Sequence, residues 1–418
     1  MNSLLLLVFA LGYLAIVLEH PLGISKTASA LLTGILCWTL LALGSHSGEI
    51  LPELSHHLAE ISEVLFFLLG AMTIVEIIDS HYGFRKITAL IRSGSPVKLL
   101  WMVSWLSFFL SALLDNLTTA IVMASIVRKM TSDRHLKLSM ISMIVIAANA
   151  GGAWSPIGDV TTTMLWVGGQ IETGPLIRLL FLPSVLCLLV PLLMMSFMLR
   201  KTKILSAESS VEEELPPGTG VVLAVGVGGL LFVPVFKNLT HLPPYLGILL
   251  VLSVVWMLTE ALHRKKSQEE KSLYTPSHAL SKIDTPSILF FLGILLAVSA
   301  LETAGMLEAS ARWLDGISSS KSIIMGIIGV ASAIVDNVPL VAAAMGMYNL
   351  QEFPAGDPIW LQLAYTAGTG GSILIIGSAA GVAVMGMENI DFTWYLKRIS
   401  FPAFAGFLAG YLLLLALL

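Results

Sequence analysis

The sequence predicts an all-α polytopic membrane protein made of two inverted repeats of five transmembrane helices, each with one re-entrant hairpin and one broken helix. Three observations support this fold class. The 418-residue chain is 56% hydrophobic and 12% charged, with a mean hydropathy of +0.87, whereas soluble domains carry about 25% charged residues. Its apolar runs reach the length of about 20 residues that a membrane-spanning helix needs. Its two halves also repeat one another in three places.

Composition also limits the partners. The net charge is −4, so the chain lacks the basic footprint of nucleic-acid binding. The polar stretches 201–220 and 263–286 contain no nucleotide or phosphate fingerprint. Cys37 and Cys187 lie within apolar runs and are expected to be small core residues, not disulfide or metal ligands. We therefore expect membrane lipid around the chain, with no nucleic acid, nucleotide or cofactor.

Ten apolar runs are predicted to cross the membrane. The first lacks the basic segment that opens a secretory signal peptide, because no Lys or Arg precedes Lys26. We therefore interpret it as a span. The predicted spans are 2–18, 27–45, 61–79, 138–168, 175–199, 219–236, 244–260, 286–304, 360–386 and 394–417.

Two further apolar segments, about 100–127 and 321–348, are predicted to be re-entrant hairpins. The first has Lys and Arg on both sides, and such flanks are cytoplasmic. It is also too short for two full spans of about 20 residues each. The second has acidic flanks, which predicts entry from the opposite face. This topology leaves only four of the 23 Lys and Arg residues outside the cytoplasm, and it places both termini on the outer, periplasmic side of a bacterial cytoplasmic membrane.

The internal repeat is read from three collinear matches. "FFLLG" ending at Gly70 returns as "FFLG" ending at Gly293, and the pair at 115–116 returns at 336–337. "NAGGAWSPIGD" returns as "GTGGSILIIGS". Three matches in one order indicate duplication, and five spans per repeat require the second repeat to be inverted. The predicted units are repeat 1 (1–200, with a broken helix at 138–168), a cytoplasmic linker (201–218) and repeat 2 (219–418, with a broken helix at 360–386).

Polar residues at the interruptions are the candidate site. An aspartate at the bilayer centre costs roughly 2.5–3.5 kcal/mol, yet Asp115 and Asp336 stand at both predicted hairpin turns. Two structural explanations remain open. Asp and Asn are common in turns whether or not they bind an ion, and the glycine-rich segment 149–159 could be an interface where helices pack closely. Oxygen ligands favour a hard cation such as Na⁺ or Li⁺, held chiefly by Asp115, Asn149 and Asp159. The predicted ion-binding residues are Asp115, Asn116, Asn149, Ser155, Asp159, Thr161, Thr162, Ser332, Asp336, Asn337, Thr369 and Ser372.

Four further polar residues are candidates for pH sensing or an accessory role. They are His56, Glu63, Glu76 and Asp79. Histidine titrates near neutral pH, which is the reason to consider His56. Interfacial charges near water, or a solvated loop, are the alternative explanations for this group.

The two Asp-Asn hairpins, the "NAGGAWSPIGDVTT" break and the "FFLLGAMTIVEIID" helix resemble the NhaD-type sodium/proton antiporters of the ion transporter superfamily. The resemblance implies a homodimer with a scaffold and a mobile transport part that carries both hairpins. It maps the family's polar residues onto eight of the candidates: Asp115, Asn116, Asn149, Asp159, Thr161, Thr162, Ser332 and Asn337. Carboxylate transporters of the superfamily have Ser-Asn-Thr at the hairpin tips, where this chain has Leu114-Asp115-Asn116 and Val335-Asp336-Asn337. That departure favours a cation, and Na⁺ or Li⁺ would compete with H⁺ for the buried aspartates.

Two rival functions remain. An arsenite or other anion permease, or a sodium-coupled carboxylate transporter, would share the fold but would favour neutral or basic site residues. An intramembrane aspartyl protease would need a catalytic pair of aspartates, and it would not account for two inverted Asp-Asn hairpins. We therefore expect a transporter and not an enzyme. Gly368 and Ser378 break the repeat symmetry, which leaves a second ion site open.

Overall fold

The structure is a computed structural model, and it describes residues 2–44, 47–84, 95–131, 133–200, 218–264, 274–388 and 390–418. Regular structure in these residues is entirely helical. Nine of the described helices are at least 18 residues long and apolar enough to cross a membrane. Helices are suited to lipid because they satisfy their backbone hydrogen bonds internally. The prediction of an all-α, multi-pass membrane protein is thus confirmed, while most of the predicted linker, 201–217, lies outside the described residues.

The described residues of the first half form nine helices, several of them capped by aspartate. Asp115, Asp133 and Asp159 each precede a helix and accept a hydrogen bond from a backbone N–H of its first turn, which satisfies a donor that the helix itself leaves unpaired. The helices are α1 (Asn2–Val17), α2 (Glu19–Leu22), α3 (Lys26–Gly44), α4 (Ser47–Ser80), α5 (Pro96–Leu114), α6 (Asn116–Met130), α7 (Arg134–Ala153), α8 (Val160–Val167) and α9 (Thr173–Leu199).

The second half contains eleven described helices. Asp284, Asp336, Asp357 and Asp391 cap helices in the same way. The helices are α10 (Thr219–Thr240), α11 (Pro244–Leu262), α12 (Pro276–Lys282), α13 (Thr285–Thr303), α14 (Met306–Ile317), α15 (Lys321–Ala331), α16 (Asn337–Met347), α17 (Pro358–Gly370), α18 (Ala379–Glu388), α19 (Phe392–Arg398) and α20 (Ser400–Leu417).

Several boundaries differ from the prediction. The expected span 61–79 is the far longer α4, which begins at Ser47, because the polar residues of 53–63 are compatible with helix even though they are not apolar. The segment 100–127 is also longer than expected. It divides at Asp115 into α5 of 19 residues and α6 of 15 residues, and α5 alone is long enough to cross the membrane.

Close contacts between helix backbones position the interrupted segments. A Cβ atom added to Gly151 of α7 would stand 2.1 Å from the carbonyl oxygen of Phe108 in α5. In the second half, a Cβ on Gly370 of α17 would stand 2.0 Å from the carbonyl oxygen of Gly329 in α15. Only glycine permits helices to approach this closely. The same contact therefore sets the helix ahead of each Asp-Asn pair against the helix that leads into the following break.

The buried apolar residues form two clusters. The larger includes Phe67, Leu114 and Ile157. The smaller is built mainly from α1, α3, α4 and α13 and includes Leu68 of α4 and Phe290 of α13. All five of these residues line a single cavity, so the candidate site lies where the two clusters meet.

Candidate functional site

A partly open cavity of about 60 Å³ is lined by residues from the helix interruptions of both halves. A water molecule needs a cavity of roughly 10–15 Å³ on this measure, so the cavity has room for a small ion with water. Three of its lining residues are the aspartates that immediately precede α6, α8 and α16. Its polar lining comprises Lys26, Asp115, Asn116, Thr118, Asp159, Thr163, Ser287, Asp336 and Asn337.

Asp115 joins α5 to α6 in a backbone conformation that few residues adopt. Its φ is +87° and its ψ is 159°, a combination that is essentially restricted to glycine and is found in other residues mainly at functional sites. One carboxylate oxygen accepts a hydrogen bond from the Thr118 backbone N–H at 2.8 Å, and the other accepts one from the Thr118 hydroxyl at 2.9 Å. Asp115 is therefore a capping residue, but its place in the cavity beside two other aspartates goes beyond that role.

A hydrogen-bonded network joins the first Asp-Asn pair to both broken helices. The Asn116 side-chain nitrogen donates to Asn149 Oδ1 and to Asp159 Oδ2, each at 3.0 Å. The Asn149 side-chain nitrogen then donates to Ser372 Oγ at 2.9 Å and to Ser378 Oγ at 3.0 Å. All five residues are at most 5% exposed. The network thus crosses from the first half of the chain to the second.

Asp159 is the most deeply buried of the three cavity aspartates, with 1% of its surface exposed. Besides Asn116, it accepts hydrogen bonds from the Thr161 backbone N–H and from the Thr161 hydroxyl, both at 2.9 Å. These donors fix the carboxylate in one orientation. A carboxylate has about four lone-pair positions, so Asp159 retains acceptor capacity toward the cavity.

The second-half aspartate has different surroundings. One oxygen of Asp336 accepts a hydrogen bond from the Val338 backbone N–H at 3.2 Å. Its other oxygen lies 3.6 Å from the Lys26 ammonium. Asn337 is 4% exposed and lines the cavity, yet its side chain makes no hydrogen bond to any residue that the structure describes. The two Asp-Asn pairs are therefore alike in sequence and unlike in contacts.

The other predicted ion-binding residues lie near the cavity without lining it. Asn149 stands behind Asn116 and orients it. Ser155, Ser332 and Thr369 are buried, and each hydroxyl donates to a backbone carbonyl: Ala112 at 2.5 Å, Ala367 at 2.9 Å and Tyr365 at 2.6 Å, respectively. The Thr162 hydroxyl is buried and has no hydrogen-bond partner among the described residues. These positions support the cavity wall and do not form its inner surface.

The four accessory candidates all belong to α4, and none lines the cavity. His56 is exposed, and its Nε2 lies 3.4 Å from the carboxylate of Glu60 on the same helix. Glu76, near the other end of α4, lies 3.6 Å from the Lys282 ammonium. Glu63 lies near the middle of this helix, and Asp79 is its next-to-last residue. The structure brings none of the four together with the cavity aspartates.

Sequence reasoning missed Lys26, Thr118, Thr163 and Ser287, which line the cavity, and Ser378 behind it. Lys26 counted only as one of many cytoplasmic charges, and no sequence signal sets it apart. Ser378 stood out only as a departure from repeat symmetry, although it accepts a hydrogen bond from Asn149. Thr118 carries a detectable signal, since a hydroxyl three residues after a capping aspartate is placed to bond that carboxylate.

The chain is similar in sequence to several known transport proteins. The family profile described as "Citrate transporter" matches residues 13–368. Sodium/proton antiporter 2 of Arabidopsis thaliana is 48% identical over 419 residues, which is 98% of each chain. The Na⁺/H⁺ antiporter NhaD of Alkalimonas amylolytica is 32% identical over 93% of this chain and 84% of its own length. The chain belongs to the family of NhaD-type sodium/proton antiporters. Sodium/proton antiporter 1 of Arabidopsis thaliana is 51% identical over 97% of this chain and 70% of its own.

Membership of the NhaD-type family confirms the resemblance drawn from the Asp-Asn pairs and the glycine-rich break. The named relatives are transporters, so the prediction that the chain is not an enzyme is also confirmed. The aspartyl protease alternative is set aside on the same ground.

Proposed function

We propose that this chain exchanges Na⁺ or Li⁺ for H⁺ across the membrane, with the cation and the proton competing for Asp115 and Asp159. The observation that carries the proposal is the shared cavity, a small space that three aspartates line together. Carboxylate, amide and hydroxyl oxygens are suited to hard cations. The names of the Na⁺/H⁺ antiporter relatives support the same pair of ions.

Coupling follows from the cost of charge in a low-dielectric setting. With the carboxylates ionised, a bound cation neutralises part of their charge. With the carboxylates protonated, no cation is needed and the metal ion leaves. An empty and fully charged site is unfavourable in the membrane interior. Only the loaded or protonated site therefore crosses readily, which couples the two ion movements.

The finer architecture is part of the proposal. We infer inverted repeats over 1–200 and 219–418, with re-entrant hairpins around the two Asp-Asn pairs. The paired contacts of Phe108 with Gly151 and of Gly329 with Gly370 support an internal duplication. We further propose a homodimer in a bacterial cytoplasmic membrane, as the family resemblance implies. We also propose that both termini lie outside, an orientation that the distribution of Lys and Arg supports. Labelling of single introduced cysteines from each membrane face tests the orientation.

An anion carrier is the second candidate, because the matching family profile is described as a citrate transporter. The cavity opposes it. Three aspartates and one lysine line the cavity, and a carboxylate substrate would be repelled by the excess of negative charge. Citrate uptake by proteoliposomes, with and without Na⁺, distinguishes the two functions.

Everted membrane vesicles containing a ΔpH-sensitive dye test the exchange directly. Asp115→Asn and Asp159→Asn should each abolish the dequenching that Na⁺ causes, because asparagine retains capping but not charge. Asp133→Asn is the matched control. Asp133 caps α7 through the Leu136 N–H at 2.8 Å and does not line the cavity, so exchange should persist. Wild-type exchange rates in both cavity variants would refute the proposal.

A further inference from the structure

The two Asp-Asn pairs present unequal charges to the cavity. The Asp115 carboxylate accepts its hydrogen bonds from neutral groups of Thr118. The Asp336 carboxylate faces a full positive charge, with 3.6 Å between its Oδ2 and the Lys26 ammonium nitrogen. Among the described residues that line the cavity, Lys26 is the single basic one. The Asp336 end of the cavity therefore contains a positive charge that balances its aspartate, and the Asp115 end does not.

Several contacts hold Lys26 at the Asp336 end of the cavity. It is the first residue of α3, and its backbone N–H donates to the Glu19 carboxylate at 3.0 Å. Its ammonium nitrogen lies 4.7 Å from the ring centroid of Phe290, a cation–π contact that attracts the ammonium to this ring. The next residue, Thr27, donates its hydroxyl hydrogen to the Pro286 carbonyl at 3.0 Å. The ammonium is thus tethered between α3 and the start of α13, outside the broken helices.

An unpaired amide beside Asp336 indicates what this end of the cavity would bind if Lys26 were absent. Asn337 is 96% buried and lines the cavity, and its side chain has no hydrogen-bond partner among the described residues. The corresponding Asn116 makes two such bonds. A carboxylate and an unpaired amide oxygen are two ligands suited to a second hard cation, if the ammonium were removed.

We propose that the Lys26 ammonium is a built-in cation that takes the place of a second metal ion at Asp336, so that the cavity binds a single exchangeable Na⁺. The inference rests on the proposed function, since it concerns how many cations the same cavity accepts. It makes Lys26 a specificity-determining residue for the number of ions, although the sodium ligands are elsewhere. Arginine at this position would preserve the charge, and a neutral side chain would open a second site.

The experiment counts bound ²²Na⁺ by equilibrium dialysis of the purified full-length protein. Wild type and Lys26→Arg are expected to bind about one Na⁺ per chain, and Lys26→Gln about two. The double variant Lys26→Gln/Asp336→Asn should return the count to about one. Exchange measured in proteoliposomes should show the same change in ion number: the Hill coefficient for Na⁺ should rise from about 1 in wild type toward about 2 in Lys26→Gln.

Two results overturn the inference: a count of one in Lys26→Gln, or a count of two in wild type. Should Lys26→Gln fail to fold, Asp336→Asn decides the question. That variant should keep one Na⁺ with weaker affinity, because Lys26 loses its partner and repels the ion, whereas a count of zero would make Asp336 the sodium ligand. If the number of Na⁺ ions bound is the same in wild type and in Asp159→Asn, the proposed function is refuted instead.

Discussion

Replacing Gly151 by alanine (Gly151→Ala) tests whether the close approach of α5 and α7 holds the site together. The added Cβ would stand 2.1 Å from the Phe108 carbonyl oxygen, whereas ordinary van der Waals contact begins at 3.4 Å. The two helices must therefore separate locally by about 1.3 Å. Both atoms are fixed to helix backbones, so no side-chain rotation relieves the clash.

The size of the effect follows from this displacement. Overpacking a well-packed interior costs typically 1–3 kcal/mol, and a clash with backbone belongs at the upper end, about 3 kcal/mol. Asn149 lies two residues before Gly151 on α7, and its hydrogen bonds from Asn116 and to Ser372 measure 3.0 and 2.9 Å. A shift of this size would stretch one or both beyond hydrogen-bonding distance. We therefore expect loss of exchange together with loss of stability.

The assay compares Gly151→Ala with Gly228→Ala, the matched control. A Cβ on Gly228, also in a membrane helix, meets no atom within 4 Å, so alanine there should be neutral or stabilising by up to about 1 kcal/mol. Thermal unfolding in detergent should give a lower Tm for Gly151→Ala only, and vesicle exchange should fall in that variant alone. Equal Tm and equal exchange in the two variants would refute the reasoning.

Two further predictions concern the hydrogen bonds of Asn149 and the competition between Na⁺ and H⁺. Asn149→Ala removes the donor to Ser372 and Ser378 and one acceptor of Asn116, so unfolding should become easier by roughly 1–3 kcal/mol. Exchange should weaken in the same variant, and an unchanged Tm would contradict the role given to Asn149. Competition with one proton predicts that the Na⁺ concentration for half-maximal exchange rises by up to about tenfold for each unit of falling pH. A half-maximal concentration that stays constant over two pH units, measured in proteoliposomes with equal pH on both sides, would exclude direct competition.

Much of the site was predictable because it depends on rare features of the local sequence. Aspartate next to asparagine inside an apolar run is costly, and glycine with proline marks a helix break. These features alone indicated Asp115, Asp159 and Asp336, which line one cavity. The α4 start was missed because polar residues in 53–63 hide a helix from a search for apolar runs.

The partners of these residues could not be predicted, because they come from distant parts of the chain. Asn149 bonds serines that are 223 and 229 residues away. Lys26 meets Asp336 because α3 and α16 both pack on α13. Between α3 and α13, the Trp38 indole N–H donates to the Leu296 carbonyl at 2.9 Å. No local pattern distinguishes a lysine that lines a cavity from one that ends in water.

The amide of Asn149 has a consequence for how the molecule can move. Its hydrogen bonds join the last turn of α7 to the segment that follows α17, deep inside the protein. Pulling these two segments apart would strand several buried polar groups at about 1–3 kcal/mol each. Whatever motion turns the cavity from one side of the bilayer to the other should therefore carry both interrupted helices as a single block, sliding past α3 and α13 while the block itself stays intact.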